Sequence, residues 1–148
     1  MKFTLQYNVG EHGWADASVS CEGNTYNIDS ISYLGDSFLE LSEAVKSLLN
    51  GASEASCFFE HEPGQTRFRL FREGEDIALQ IYQFENELAE DPWEKGEKVF
   101  ECITHLKRLK SQYLNEADKI IKNIGIEKYK EQWGYEFPKE VYESIKNS

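Results

Sequence analysis

Three histidines and three cysteines are the side chains of this 148-residue chain best suited to nucleophilic, acid–base or metal chemistry: His12, His61, His105, Cys21, Cys57 and Cys102. A metal centre or a thiol–imidazole pair needs such groups to converge within a few ångströms. Cys57 and His61 lie four residues apart. On a strand they share a face, but about 13 Å apart at ~3.3 Å per residue, too far for one metal or one proton relay. The thiols are odd in number and lack C-x-x-C spacing, so they read as reduced, mostly buried groups of a cytosolic protein. The sequence contains no G-x-S-x-G, Walker loop, G-x-G-x-x-G or H-E-x-x-H. It therefore assigns no catalytic residue, no metal ligand and no cofactor. His12, beside Gly13, reads as a turn residue, His61 as a strand-end polar residue near a turn, and His105 as a surface or boundary residue of the long helix.

Carboxylates are the abundant alternative. The chain holds 27 acids against 16 bases, a net charge of −11. Pairs such as Glu60/Glu62 and Glu85/Glu87 arise readily at that density, and each alternates onto a solvated strand face. Residues 1–66 hold ten of the acids against only Lys2 and Lys46. Such a field repels nucleic acid and anionic lipid and attracts basic surfaces. The basic run Lys107, Arg108, Lys110 reads as a solvated helix face rather than a nucleic-acid site. Glu85, Glu87, Glu90 and Asp91 cluster around Trp93, and aromatic anchors beside acids have the composition of a protein-binding hot spot. These five residues are the candidate docking face for a basic protein partner. The N-terminus alternates like a strand rather than a signal peptide, and no segment approaches the ~18 apolar residues of a membrane span.

The elements that must position these groups follow from periodicity. Phe3, Leu5, Tyr7 and Val9 alternate with polar residues, as do Ala15, Ala17, Val19 and Cys21. With a polar strand over 25–31 they predict a meander turning at Glu11-His12-Gly13 and at Glu22-Gly23-Asn24. Ser37 and Glu40 have capping-box spacing before a helix whose stripe is Phe38, Leu41, Val45 and Leu48 and which ends at Gly51. Residues 55–62 and 65–72 flank Pro63-Gly64 as a hairpin, with Glu60 opposite Arg67 and Phe59 opposite Phe68 in a tight type II turn. A sixth strand covers 77–84. Asp91-Pro92-Trp93-Glu94 reads as a helix start. Val99, Ile103, Leu106, Tyr113, Ala117, Ile120 and Ile124 then form a stripe, broken by Lys110, on a helix of about 30 residues. Two short helices follow. The expected fold is one α+β domain over 1–148: an antiparallel sheet of about six strands, ordered βββ-α-βββ, within 1–84. Helices over 91–148 cover one face, the first of them long.

Residues 31–72 also carry a resemblance. Gly35-Asp36-Ser37-Phe38-Leu39-Glu40-Leu41, then Ala44, Leu48, Leu49 and Gly51, are followed by Glu62-Pro63-Gly64 and the alternating Arg67-Phe68-Arg69-Leu70. This pattern resembles small bacterial proteins similar to the immunity proteins of polymorphic toxin and contact-dependent inhibition systems. The resemblance implies a cytoplasmic, non-enzymatic antitoxin that occludes a toxin's active site. Acidic proteins of that kind suit basic toxin domains. Two other functions are open on the residues alone. One is a structural or regulatory homodimer joined through the 99–124 stripe. The other is a small-ligand binder or enzyme whose site is assembled from distant residues.

Overall fold

The computed structural model describes residues 3–85 and 92–148. Among the described residues seven strands form two antiparallel sheets, one ordered β1-β2-β3 and the other β4-β5-β6-β7, accompanied by four α-helices. The α+β class and the βββ-α-βββ order are those expected. The single sheet is in fact two.

The first sheet is the meander. Phe3–Val9 (β1), Trp14–Cys21 (β2) and Asn24–Ser32 (β3) pair in sequence order. Glu22 and Gly23 join β2 to β3 with φ 52° and 85°. Two consecutive left-handed residues are what a type I′ hairpin needs, because that turn matches the twist of its strands. Alternation then sends Phe3, Leu5, Tyr7, Ala17, Val19 and Ile28 into the core.

Ser37–Leu49 (α1) follows. Its cap differs from the S-x-x-E expectation. Asp36 is the N-cap, its carboxylate accepting from the Leu39 amide at 3.3 Å. Ser37 is buried and meets the Tyr7 hydroxyl at 2.9 Å. Glu40 reaches outward and accepts from the Phe58 amide at 2.9 Å. Burial raises the carboxyl pKa of both Asp36 and Glu40. The native state therefore binds protons at these two groups more tightly than the unfolded chain does. Their contribution to stability is greatest below the ordinary carboxylate range and is lost as pH rises through their raised values. Lower pH also relieves the self-repulsion of a −11 chain. The urea midpoint is expected to rise as pH falls from neutrality to roughly 5, and Asp36→Asn, which keeps a good cap, should flatten that rise.

The second sheet is Glu54–Glu60 (β4), Gln65–Glu73 (β5), Asp76–Phe84 (β6) and Glu97–His105 (β7). The β4–β5 hairpin keeps the expected faces, with Cys57, Phe59, Phe68 and Leu70 buried. Its register is two residues from the expected one: Phe58 lies opposite Arg67, and Glu60 opposite Gln65. The tight turn sits one residue earlier, between His61 and Gly64, whose backbones bond at 2.9 Å. Phe59 and Phe68 still touch, diagonally, with centroids 4.7 Å apart.

The larger correction is β7. Residues 92–105 do not begin a long helix: Trp93–Lys95 make one 3-10 turn, and residues 97–105 pair with β6 almost from end to end. The helix starts only at Leu106–Asn123 (α2), 18 residues, or about 27 Å. Ile126–Trp133 (α3) and Lys139–Lys146 (α4) complete the chain. Leu106, Tyr113, Ala117 and Ile120, the heart of the stripe offered as a dimer seam, are buried within the chain's own core.

At the centre of that core is Phe38. Tyr7, Tyr113, Phe137 and Tyr129 surround its ring at centroid distances of 5.0, 5.7, 5.9 and 6.3 Å. Trp133 is fully buried beside them, and its indole N–H donates to Asp36 at 3.0 Å, which ties α3 to the start of α1. The edge strands are covered by polar side chains. Gln112 and Glu116 of α2 accept from the Leu5 and Tyr7 amides at 3.1 and 2.8 Å, and Arg108 donates to the Phe3 carbonyl at 2.8 Å. An edge strand presents unpaired backbone groups. Here α2 meets those of β1 as a neighbouring strand would.

Candidate binding surface

The groups most suited to chemistry are spent on structure. His12 sits in the β1–β2 turn with φ 60°. His105 caps α2, its Nδ1 accepting from the Lys107 amide at 3.3 Å. His61 has both ring nitrogens engaged, Nδ1 at 3.1 Å from the Ser30 carbonyl and Nε2 at 2.7 Å from the Thr66 hydroxyl. Cys57 is fully buried, and burial pushes its thiol well up. Cys102 on β7 lies beside Cys21 at the end of β2, and burial, with that neighbour, pushes its thiol up to about 12. Nucleophilic thiols have lowered values, so these are poor nucleophiles at neutral pH. Among the described residues no three or more of His, Cys, Asp and Glu gather as a metal site. Of the basic run, Arg108 is bound to β1 and Lys110 to the Ser148 carbonyl at 2.7 Å.

The docking face expected around Trp93 is only partly visible. Glu87, Glu90 and Asp91 lie outside the described residues. Glu85 is exposed at the end of β6. Trp93 is half-buried on the outer face of the four-stranded sheet, with its ring against Tyr82, Phe84 and Phe58 at 5.1, 6.2 and 6.5 Å. Two guanidiniums also reach it, Arg69 at 4.9 Å and Arg67 at 5.3 Å from the ring centroid. Arg67 is 2% exposed, stacks at 3.8 Å on Phe84 and donates to Gln65 at 2.5 Å. Arg69 pairs with Glu54 at 3.0 Å. Cations over aromatic faces are stabilised by the ring quadrupole, the more so when water is excluded. Trp93 is thus a fixed lid over two arginines. The sequence places Arg67 and Arg69 on this face by their alternation with Phe68 and Leu70. Nothing in it shows that residue 93 comes to lie over them.

Gly96 makes that packing possible. A Cβ there would stand 2.5 Å from Cζ of the Phe84 ring, whose own position is fixed by burial and by Arg67. Gly96→Ala is expected to cost about 1–3 kcal/mol by overpacking. A lower denaturation midpoint together with altered tryptophan fluorescence would check it.

Among the described residues the grooves lie open to the surface. One of about 340 Å³ runs between α1 and the start of β4, past Glu40, Glu43 and Glu54. Two of these carboxylates are engaged, Glu40 by the Phe58 amide and Glu54 by Arg69.

A second surface has no counterpart in the sequence expectations. Trp14, Tyr33 and Leu34 are 38, 50 and 52% exposed. Trp14 lies opposite Ser32 in the β2–β3 ladder and Tyr33 lies over Gly13, so the three residues come to the same end of the first sheet. Tyr33 covers Gly13, where a Cβ would fall 2.7 Å from its ring. The Tyr135 hydroxyl donates to the Tyr33 carbonyl at 2.7 Å, and the Gly13 amide to the Gln132 carbonyl at 2.7 Å.

No helix among the described residues is long and apolar enough to cross a membrane. No family model and no curated protein matches the chain. Among solved structures, it is similar to a chain of the "CdiA-CT/CdiI toxin and immunity complex from Enterobacter cloacae", with a TM-score of 0.54 and 13% sequence identity, covering 79% of this chain and 99% of that one. At that identity what the two chains share is a fold.

Proposed function

We propose that this chain is the neutralising member of a toxin–immunity pair. It binds a basic toxin domain one-to-one, covers that domain's active site and makes no bond of its own. The observation that carries the reading is the fold shared, over nearly the whole of the other chain, with a component of a toxin and immunity complex. The net charge of −11 supports a basic partner, since opposite fields speed encounter and oppose the wrong partners. Occlusion asks only for a rigid surface of the right shape and charge. The aromatic centre around Phe38 and the helix side chains tying down β1 and β4 supply rigidity.

The test is coexpression with the product of the adjacent gene, which this reading expects to be a toxin domain. Growth should be rescued at stoichiometric expression, and the two proteins should co-elute as a one-to-one complex. Association should slow about tenfold or more between low and physiological salt, as a steered encounter does. A toxic neighbour that this chain neither binds nor silences would overturn the reading.

A further inference from the structure

Two tryptophan-bearing surfaces could meet a basic partner, and their surroundings separate them. Trp93 already carries Arg67 and Arg69 within 5.3 Å of its ring. Its attraction for cations is largely used within the chain. The corner made by Trp14, Tyr33 and Leu34 is the converse case. Its aromatic groups are exposed, and the charges around it are acidic. Glu11, whose carbonyl accepts from the Trp14 amide at 3.3 Å, is exposed. Asp16 lies two residues along the same strand face and is exposed. Glu62 comes across from the β4–β5 turn, held by the Ser32 hydroxyl at 2.6 Å. That hydroxyl also accepts from the Leu34 amide at 3.2 Å. Glu136 follows Tyr135 and is paired with Lys130 at 3.3 Å, while Lys119, paired with Glu116, reaches Asn8, whose side-chain amide donates to Asp16 at 3.0 Å.

The corner is also held still. Tyr33 rests on Gly13, and its carbonyl is fixed by Tyr135. The segment beneath ends in the fully buried Trp133. An aromatic patch ordered in advance loses little entropy when it is covered. Contiguous exposed apolar groups with a polar rim mark interaction sites on soluble proteins.

We infer that Trp14, Tyr33 and Leu34, rimmed by Glu11, Asp16, Glu62 and Glu136, form the surface that a basic protein domain covers. Arginines of the partner would lay their planar guanidiniums on the Trp14 and Tyr33 rings and meet the rim carboxylates with their N–H groups. Leu34 fills the apolar centre. The inference rests on the proposed toxin-neutralising role and names the face that performs it.

Two variants test it, each measured against the adjacent gene's product that the coexpression test identifies as the toxin domain. Leu34→Arg places a cation at the centre of the patch and should weaken binding about 100-fold or more, the size of a hot-spot loss. Glu11→Lys with Glu136→Lys should slow association about tenfold at low salt and much less at high salt. Glu85→Lys, on the Trp93 side, is the comparison and should change affinity less than threefold. Circular dichroism and the urea midpoint should match wild type for all three, because every altered side chain is exposed. If wild type binds and Leu34→Arg binds as tightly, this surface is wrong and the toxin-neutralising role stands. If Glu85→Lys alone abolishes binding, the Trp93 side is the docking face instead. If wild type does not bind, the role itself falls, and this surface with it.

Discussion

Replacing Phe38 with alanine should cost the native state about 3–5 kcal/mol, the usual range for a large aromatic removed from a packed core. The position argues for the upper part of that range. Tyr7 comes from β1, Tyr113 from α2, Tyr129 from α3 and Phe137 from the link to α4, so one ring joins four elements. Its neighbours cannot collapse into the space without giving up hydrogen bonds: Tyr7 is held by Ser37, and Tyr113 by Ser42 at 2.5 Å. A melting temperature lower by roughly 10 °C or more is expected for a chain of this size. The urea midpoint should move with the slope unchanged. Phe38→Leu, which keeps most of the volume, should lose less than half as much. Equal losses for the two variants would mean that the surrounding rings do not depend on this one.

The second large effect is expected at Glu116. Its carboxylate accepts from the Tyr7 amide at 2.8 Å and from Lys119 at 2.7 Å while only 8% exposed. Glu116→Ala leaves a backbone N–H on the open edge of β1 without its acceptor. Loss of a charged acceptor from a buried donor costs about 2–3 kcal/mol. Glu116→Gln keeps an acceptor oxygen and should recover about half. Hydrogen exchange gives the sharper signature, since the Tyr7 amide should lose protection in the alanine variant before the centre of β2 does. Unchanged protection at Tyr7 would show that α2 does not hold this strand edge.

Most of the fold is legible in the sequence wherever local chemistry and tertiary packing agree. The meander is one such place: alternation at Phe3, Leu5 and Tyr7 and the Glu22-Gly23 turn point the same way. The end of α1 at Gly51 is another. Legibility fails where a long-range partner decides. Val99, Ile103 and Leu106 have helical spacing, and Pro92-Trp93-Glu94 looks like a helix start. Yet β6 would otherwise keep a bare edge, and pairing with residues 97–105 fills it. The polarity pattern conceals this strand because Ile103 faces solvent, 58% exposed, while Thr104 is buried. The cap of α1 fails in a related way. Ser37 and Glu40 have the spacing to bond one another's backbone, but Tyr7 and the Phe58 amide take them instead.

The site was less legible than the fold, for a physical reason. Charge can be counted along a chain, but which carboxylates share a corner depends on how the strands come together. Glu11, Glu62 and Glu136 come from three distant stretches. Trp93 stands beside acids in sequence and over arginines in space.

The long reach of α2 onto β1 has a consequence for synthesis. Gln112 lies 107 residues beyond Leu5, and Glu116 109 beyond Tyr7. At about 5–20 residues per second, a ribosome takes roughly 5–20 s to deliver the helix after the strand. Throughout that interval the nascent chain carries a hairpin margin open to any passing strand. A cell making this protein in bulk therefore meets a hazard of tangling until Gln112 and Glu116 have been made and docked.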